Sequence, residues 1–244
     1  MLFVLLALHA ALGVSALLTA RRLGRWALVL GGLAPALTMV WALARAASVV
    51  DGGVVAERAT WAAGLGLGLD LRFDAFALLM TVLVSGIGTL VFVYAWYYFG
   101  ASEKVGRAAG LLTLFAGAMF GVVVADNLLF LYVCWELTSV TSYLLIGIDD
   151  AEPEARSAAL HALLVTGLGG LAMLGGFVAI GQEAGTYRIA EILADPPTSS
   201  TTAVALISCS LPGWRGLPNA WAPAADCGGP GCRGRPLPAS AGRR

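Results

Sequence analysis

Glu136 is the residue whose type and position suit chemistry best, because it lies near the middle of the apolar stretch Asp126–Ile148. A charge at the centre of a bilayer costs at least about 2.5 kcal/mol, so acidic residues in membrane spans usually mark ion paths or proton relays. At about 100° per residue, three polar side chains fall within about 60° of it on a helix: Tyr132, Ser139 and Tyr143. Hydroxyl groups can hydrogen-bond a carboxyl group in either protonation state. The pattern predicts a proton-transfer site, with a purely structural interhelical hydrogen bond as the alternative.

The composition indicates an integral membrane protein. Of the 244 residues, 59% are hydrophobic and 12% are charged, and the mean hydropathy is +0.82, whereas soluble domains contain about 25% charged residues. The formal net charge is zero, which gives no indication of nucleic-acid binding. Cys227 and Cys232 lack histidine partners at zinc-site spacing, and Cys134 is interpreted as a small apolar packing residue. Without a nucleotide-binding loop, haem motif or iron–sulfur spacing in the sequence, we expect no cofactor and no metal.

Six apolar segments are predicted to cross the membrane as helices, since roughly 20 residues at 1.5 Å each span a core of about 30 Å. The predicted spans are residues 2–20, 26–43, 73–98, 108–125, 127–148 and 155–180. Residues 54–72 differ, because leucines at 65, 67, 69 and 71 alternate with glycine or charged residues, which predicts a β-hairpin. An open sheet edge cannot face lipid, so this hairpin is expected outside the membrane. The fold class is therefore an all-α polytopic membrane protein with a small extramembrane hairpin.

The arginine and lysine residues favour one orientation, because positive residues concentrate in cytoplasmic loops. On one side of the predicted topology lie Arg21, Arg22, Arg25, Lys104, Arg107 and Arg156. On the other side lie Arg45, Arg58, Arg72 and Arg188. The bias predicts that the N-terminus lies outside the cytoplasm. The membrane is expected to be the inner (plasma) membrane. The first positive charges follow the first apolar segment, which favours a retained span over a cleaved signal peptide.

Residues 196–244 are expected to hold an aborted seventh span and a disordered tail. The apolar segment 203–210 ends too early to cross a membrane, and the 33 residues from 212 to 244 contain six prolines and seven glycines. That composition is typical of disorder. A basic cytoplasmic extension and an out-of-frame translation of GC-rich coding sequence both fit. We favour the second, because the break falls inside a span that has already begun.

Two consecutive predicted helices resemble a known family. The residues that carry the resemblance are Gly-Ala-Met-Phe-Gly-Val-Val-Val-Ala-Asp-Asn at 117–127, Leu-Tyr-Val-Cys-Trp-Glu-Leu-Thr-Ser at 131–139 and Ser-Tyr-Leu-Leu-Ile-Gly at 142–147. They resemble the antiporter-like subunits shared by Mrp-type cation/proton antiporters and respiratory complex I. The similarity extends to residues 84–90 and 169–176 and covers about 70–195. The Trp-Glu-Leu-Thr-Ser form is more similar to the N-terminal part of the A-type Mrp subunit than to the quinone-reductase subunit.

The resemblance implies a transporter subunit rather than an enzyme. It implies that Glu136 transfers protons near the membrane midplane in exchange for a monovalent cation such as Na⁺, within a complex of several membrane subunits. In the family this glutamate interacts with a lysine on a broken seventh helix. That motif is absent here, and the only lysine of the sequence, Lys104, is predicted in a loop.

Several alternatives stay open at this point. His161 stands where the family often has lysine, and it is either a proton relay or a helix-end residue bonded to water. The chain is alternatively a proton-pumping subunit of an NADH-quinone oxidoreductase or membrane hydrogenase. It is also alternatively an inactive truncated membrane fragment.

Overall fold

Long apolar helices make up most of the computed structural model, which describes residues 1–62, 67–98, 103–148 and 153–197. The helices are α1 (Leu2–Leu18), α2 (Ala20–Leu23), α3 (Trp26–Val50), α4 (Ala75–Tyr98), α5 (Glu103–Val124), α6 (Leu128–Ile146), α7 (Pro153–Ala184) and α8 (Ile189–Ala194). The strands are β1 (Val55–Ala62) and β2 (Leu67–Phe73). The predicted fold class is thereby confirmed. Nearly all of the expected tail, residues 198–244, lies outside the described residues.

Five helices of the described part, α3 to α7, are long and apolar enough to cross a membrane. Helix α1 is also apolar but has 17 residues, at the lower limit of about 17–25 for a spanning helix. The six predicted spans therefore correspond to five long helices and one short one. Two helices extend beyond the predicted spans: α3 continues past residue 43 to Val50, and α5 begins at Glu103, before residue 108. Backbone hydrogen bonding continues after the apolar stretch ends, so hydropathy underestimates helix length.

Helix α5 is the central helix, with more of its apolar stretch buried than any other candidate span of the described part. It contacts α1, α3, α4 and α6. Glycines permit its close approach to α1, because a β-carbon at Gly110 would lie 2.8 Å from the carbonyl oxygen of Gly13. Small residues at helix crossings allow the close packing that stabilises helix pairs in lipid.

The predicted hairpin is present and covers one end of the helices. Strands β1 and β2 are antiparallel, with Val55 opposite Phe73 and Arg58 opposite Asp70. Phe73 is fully buried in a cluster with residues of α1, α4 and α5. Its ring also packs against Trp41 of α3, with the ring centroids 4.8 Å apart. The hairpin is therefore fixed to four helices at the same end.

Glu57 of β1 joins the hairpin to the start of α1. Its carboxylate accepts hydrogen bonds from the backbone N–H groups of Leu2 at 3.0 Å and Phe3 at 3.2 Å, and it pairs with the amino group of Met1. The first N–H groups of a helix have no partners within the helix and carry partial positive charge. The acidic side chain therefore satisfies and stabilises this helix start.

The Glu57 contact predicts a loss of stability in acid. Burial by itself would raise the pKa of this carboxyl group, but the Met1 ammonium and the two backbone N–H groups outweigh burial and lower the pKa below its ordinary 4.5. A group with a lowered pKa stabilises the fold above its ordinary pKa, and that contribution is lost as the pH falls through the lowered value. Below about pH 4.5, we expect the thermal unfolding temperature in detergent to fall more steeply for the wild type than for E57Q. Parallel pH curves for the two proteins would contradict this account.

The junction between α5 and α6 is held by Asp126 and Asn127. The Asp126 N–H donates to the carbonyl of Asp70 at 2.8 Å, and its Oδ1 accepts the N–H of Ala190 at 3.0 Å. The Leu128 N–H donates to the carbonyl of Tyr187. One end of the molecule therefore contains the hairpin, the α5–α6 turn and the segment before α8. The start of the chain lies at the same end.

Asn127 is the N-cap of α6, as the turn-forming Asp-Asn pair suggests. Its Oδ1 accepts the N–H groups of Leu129 and Phe130, and its Nδ2 donates to Asp70 Oδ2 at 3.4 Å. Loss of an N-cap side chain typically costs about 1 kcal/mol. We therefore expect N127A to lower the unfolding temperature in detergent, and N127S to recover most of the loss because serine also caps helices. Equal unfolding temperatures for the wild type and N127A would refute this role.

Candidate functional site

Glu136 lies at the middle of α6, the helix that pairs with α7. Helix α6 places its side chain on the surface that faces α7, and Oε1 is buried there with no hydrogen-bond partner among the described residues. A buried polar oxygen without a partner is costly and uncommon in native structures. Such an atom is free to accept a proton or a hydrogen bond from water.

Gly170 provides the space that Glu136 occupies. A β-carbon at position 170 would overlap Glu136 Oε1 and would lie 3.7 Å from Cε2 of Tyr132. Gly170 is itself buried. At position 170, any residue type other than glycine would place its side chain where the Glu136 carboxyl group lies. Gly170 therefore determines the position of this carboxyl group.

Tyr132 is the predicted polar neighbour whose ring lies beside the same glycine as Glu136. It lies one helical turn earlier on α6, and its Cε2 would be 3.7 Å from a β-carbon at position 170. The Ser139 hydroxyl instead donates to the carbonyl of Trp135 at 3.4 Å. Tyr143 lies two turns beyond Glu136, a rise of about 10.5 Å. Within the described chain, the carboxyl group, one phenol and Gly170 thus form the site.

His161 is not beside Glu136. It is exposed on α7, nine residues before Gly170, which is a rise of about 13.5 Å along the helix. Neither the relay interpretation nor the helix-end interpretation of this residue is decided by that position.

Lys104 was expected in a loop, but it belongs to the first turn of α5. The charged residue marks the end of the apolar stretch, but the backbone hydrogen bonds of the helix continue past it.

Sequence reasoning missed the role of Gly170. The glycines of the sixth predicted span, residues 155–180, do not by their pattern show which of them faces Glu136. A pairing of two antiparallel helices around one acid and one glycine would have been a usable signal. The glycine that faces Glu136 can be identified only when the position of α7 along α6 is known. The sequence alone does not give that position.

Two parts of the chain match known protein families. Residues 125–211 match the family described as NADH:quinone oxidoreductase/Mrp antiporter, TM. Residues 61–107 match the family described as NADH-Ubiquinone oxidoreductase (complex I), chain 5 N-terminus. The two matched ranges together cover more than half of the chain. The first includes both Glu136 and Gly170.

Curated relatives carry antiporter names. The chain is 45% identical over 146 residues to a probable K(+)/H(+) antiporter A/B subunit of Rhizobium meliloti, with 60% of this chain and 15% of the relative covered. It is 35% identical over 161 residues to the A1 subunit of a Na(+)/H(+) antiporter of Staphylococcus haemolyticus, with 66% and 20% covered. The chain thus spans one fifth or less of the length of these relatives.

Solved structures share the fold. A chain of the Mrp complex from Dietzia sp. matches with a TM-score of 0.73 and 33% identity over 86% of this chain and 23% of that chain. A chain of respiratory complex I from Thermus thermophilus matches with a TM-score of 0.69 and 22% identity over 86% of this chain and 43% of that chain. At that identity the second match shows the fold alone.

The long apolar helices define a multi-pass membrane protein, in which Glu136 lies on the α6 surface that packs against α7. With these matches, the chain belongs to the family of membrane subunits shared by NADH:quinone oxidoreductases and Mrp antiporters. The resemblance found in residues 117–147 is confirmed.

Proposed function

We propose that the chain forms part of a subunit of a multisubunit monovalent cation/proton antiporter and that Glu136 transfers the proton. The observation that carries this proposal is the Glu136 carboxyl group, which lies inside the membrane between α6 and α7 with an unbonded Oε1. Its position within the matched family range and the antiporter names of the relatives support the same activity.

The chemistry requires a group that takes up and releases a proton without leaving the membrane. The Glu136 carboxylate accepts one proton from water on one side and returns it to water on the other, while one monovalent cation moves in the opposite direction and balances the charge. The Tyr132 phenol can donate to the carboxylate and accept from the carboxyl group. It therefore supports Glu136 in both states of the cycle.

A positive partner for Glu136 has to come from elsewhere. Among the described residues, none of the ion pairs includes this carboxylate. Buried charges in proteins are paired or neutralised, because an isolated charge in a low-dielectric medium is strongly unfavourable. We infer that a basic residue of a neighbouring subunit, or of a part of the protein beyond the described residues, approaches the α6–α7 surface during the transport cycle.

The membrane and the orientation are part of the proposal. Helix α2, which follows α1, carries Arg21 and Arg22, and the first turn of α5 carries Lys104, while the hairpin end carries fewer positive residues. The rule that positive residues concentrate in the cytoplasm then places the hairpin and the chain start outside the cytoplasm. In a bacterium this corresponds to the inner (plasma) membrane, in a complex with other antiporter subunits.

A second function is favoured by the match of residues 61–107 to the family described as NADH-Ubiquinone oxidoreductase (complex I), chain 5 N-terminus. In that case Glu136 performs the same proton transfer, but the driving force is electron transfer in partner subunits rather than a cation gradient. The two functions predict different requirements, which one experiment separates.

The test is to purify the complex through an affinity tag on this chain and to reconstitute it in vesicles that contain a pH-sensitive dye. Addition of Na⁺ or K⁺ is expected to change the internal pH, whereas choline at equal ionic strength is expected to have no effect. A pH change that requires NADH and a quinone, and that ignores Na⁺ and K⁺, would support the oxidoreductase function instead. A complex that responds to neither condition would refute both functions and support an inactive fragment.

A further inference from the structure

An apolar groove lies on the outer surface of α3 and α4, far from Glu136. It has a volume of about 330 Å³ and is lined by Leu28, Val29, Leu33, Phe92, Val93 and Trp96, among others. On α4 the lining runs from Thr89 to Tyr97, a rise of about 12 Å. That length is most of one leaflet, because half of a hydrocarbon core is about 15 Å thick.

Arg25 stands at the mouth of this groove. It precedes α3, and its Nη2 donates to the carbonyl of Trp96 at 3.0 Å, while its Cζ lies 4.0 Å from the centroid of the Trp96 ring. The guanidinium is thus fixed on the same tryptophan that closes the end of the groove. Trp26 packs edge-on against this ring, with the centroids 5.1 Å apart. Tryptophans of this kind are typical of the membrane–water interface.

The positive charge of Arg25 is not neutralised by the chain around it. Its Nε is buried and has no hydrogen-bond partner, and none of the carboxylates in the described ranges forms an ion pair with it. A guanidinium has five N–H donors that match the geometry of phosphate oxygens. Arg25 uses one of them on the Trp96 carbonyl, which leaves others for an anion.

We propose that this groove binds one anionic phospholipid, with the phosphate at Arg25 and an acyl chain between α3 and α4. The site has an apolar part and a charged part, as such a lipid has. The groove is apolar along its length, and the guanidinium of Arg25 lies at its end, at the depth of the membrane–water interface. A zwitterionic lipid also carries a phosphate, but its choline group cancels the headgroup charge, so it would leave the charge of Arg25 without net compensation. Basic pockets between membrane helices at the cytoplasmic side commonly hold anionic headgroups. This site does not depend on the transport function.

The test is native mass spectrometry of the full chain, delipidated and then titrated with phosphatidylglycerol or with phosphatidylcholine of identical acyl chains. One arginine near an anionic headgroup contributes about 1 kcal/mol, so we expect phosphatidylglycerol to bind the wild type about fivefold more tightly. R25Q should abolish this preference, because glutamine is polar but carries no charge. R45A is the matched control at the opposite end of α3 and should keep the preference.

A second variant tests the groove itself. Val29 is 44% exposed on the groove wall, so V29W can fill the groove from its open side without disturbing the core. It should weaken the binding of both lipids while leaving helix content unchanged by circular dichroism. Equal affinity of the wild type for the two lipids, or an unchanged preference in R25Q, would overturn the assignment of Arg25. Unchanged lipid affinity in V29W would overturn the assignment of the groove.

Discussion

E136Q is expected to reduce cation-driven proton exchange by about 100-fold or more in vesicles that contain the assembled complex. Glutamine has nearly the same shape as glutamate, so it fills the space beside Gly170, but it cannot bind and release a proton. A positioned acid or base typically contributes 10²–10⁴-fold to a proton-transfer step. The measurement is the initial rate of the internal pH change after a Na⁺ or K⁺ pulse.

The control for this experiment is E154Q. Glu154 lies in the first turn of α7 and is exposed, so it tests the loss of an acidic residue outside the membrane interior. We expect this variant to transport at the wild-type rate. Both variants must co-purify with the same subunits as the wild type, which separates a transport defect from an assembly defect. An E136Q complex that assembles and keeps most of its transport rate would show that Glu136 has only a structural role.

G170A is expected to displace the Glu136 carboxyl group and to slow transport by roughly tenfold to 100-fold. The added methyl group would overlap Oε1, the end of a flexible side chain, whereas it meets no backbone atom closely. The carboxyl group therefore moves while the α6–α7 packing is retained. Misplacement of a reacting group by about 1 Å can cost up to 100-fold in rate. The measurement is the same pH assay, with the thermal unfolding temperature as the check on folding.

Two further variants make the G170A result specific. G175A is the matched control, because a β-carbon at Gly175 of the same helix meets nothing within 4 Å, and its transport rate should equal that of the wild type. The double variant E136D/G170A should recover part of the lost rate, because aspartate is one methylene shorter and leaves room for the methyl group. A merely structural defect of G170A would not be rescued by shortening the acid. Equal transport losses in G175A and G170A would contradict a positioning role for Gly170.

The features that the sequence predicts are those that depend on local pattern. The helices were predicted from hydropathy because the cost of placing polar groups in lipid acts on each segment separately. The hairpin was predicted from the period-2 alternation before Phe73, and β2 extends to that residue. The acidic centre was predicted because a single carboxyl group in an apolar span is visible without any neighbour.

The features that the sequence does not predict depend on contacts between distant segments. Gly170 lies 34 residues after Glu136, and only the alignment of α6 with α7 shows that the two meet. Arg25 and Trp96 are 71 residues apart, and their stacking depends on the crossing of α3 and α4. Ser139 lies on the predicted face, but its hydroxyl bonds the backbone of its own helix. Serine hydroxyls commonly make this bond in helices, and a helical wheel does not represent it.

The central claim is that the proton carried during exchange resides on Glu136. Infrared difference spectroscopy of the reconstituted complex tests it directly, by comparing spectra before and after Na⁺ or K⁺ is exchanged for choline at constant pH. We predict a carbonyl band of a protonated carboxyl group that changes intensity with the cation in the wild type and in E154Q, and that is absent in E136Q. A cation-dependent carboxyl band that persists unchanged in E136Q would place the proton on another group and contradict the account.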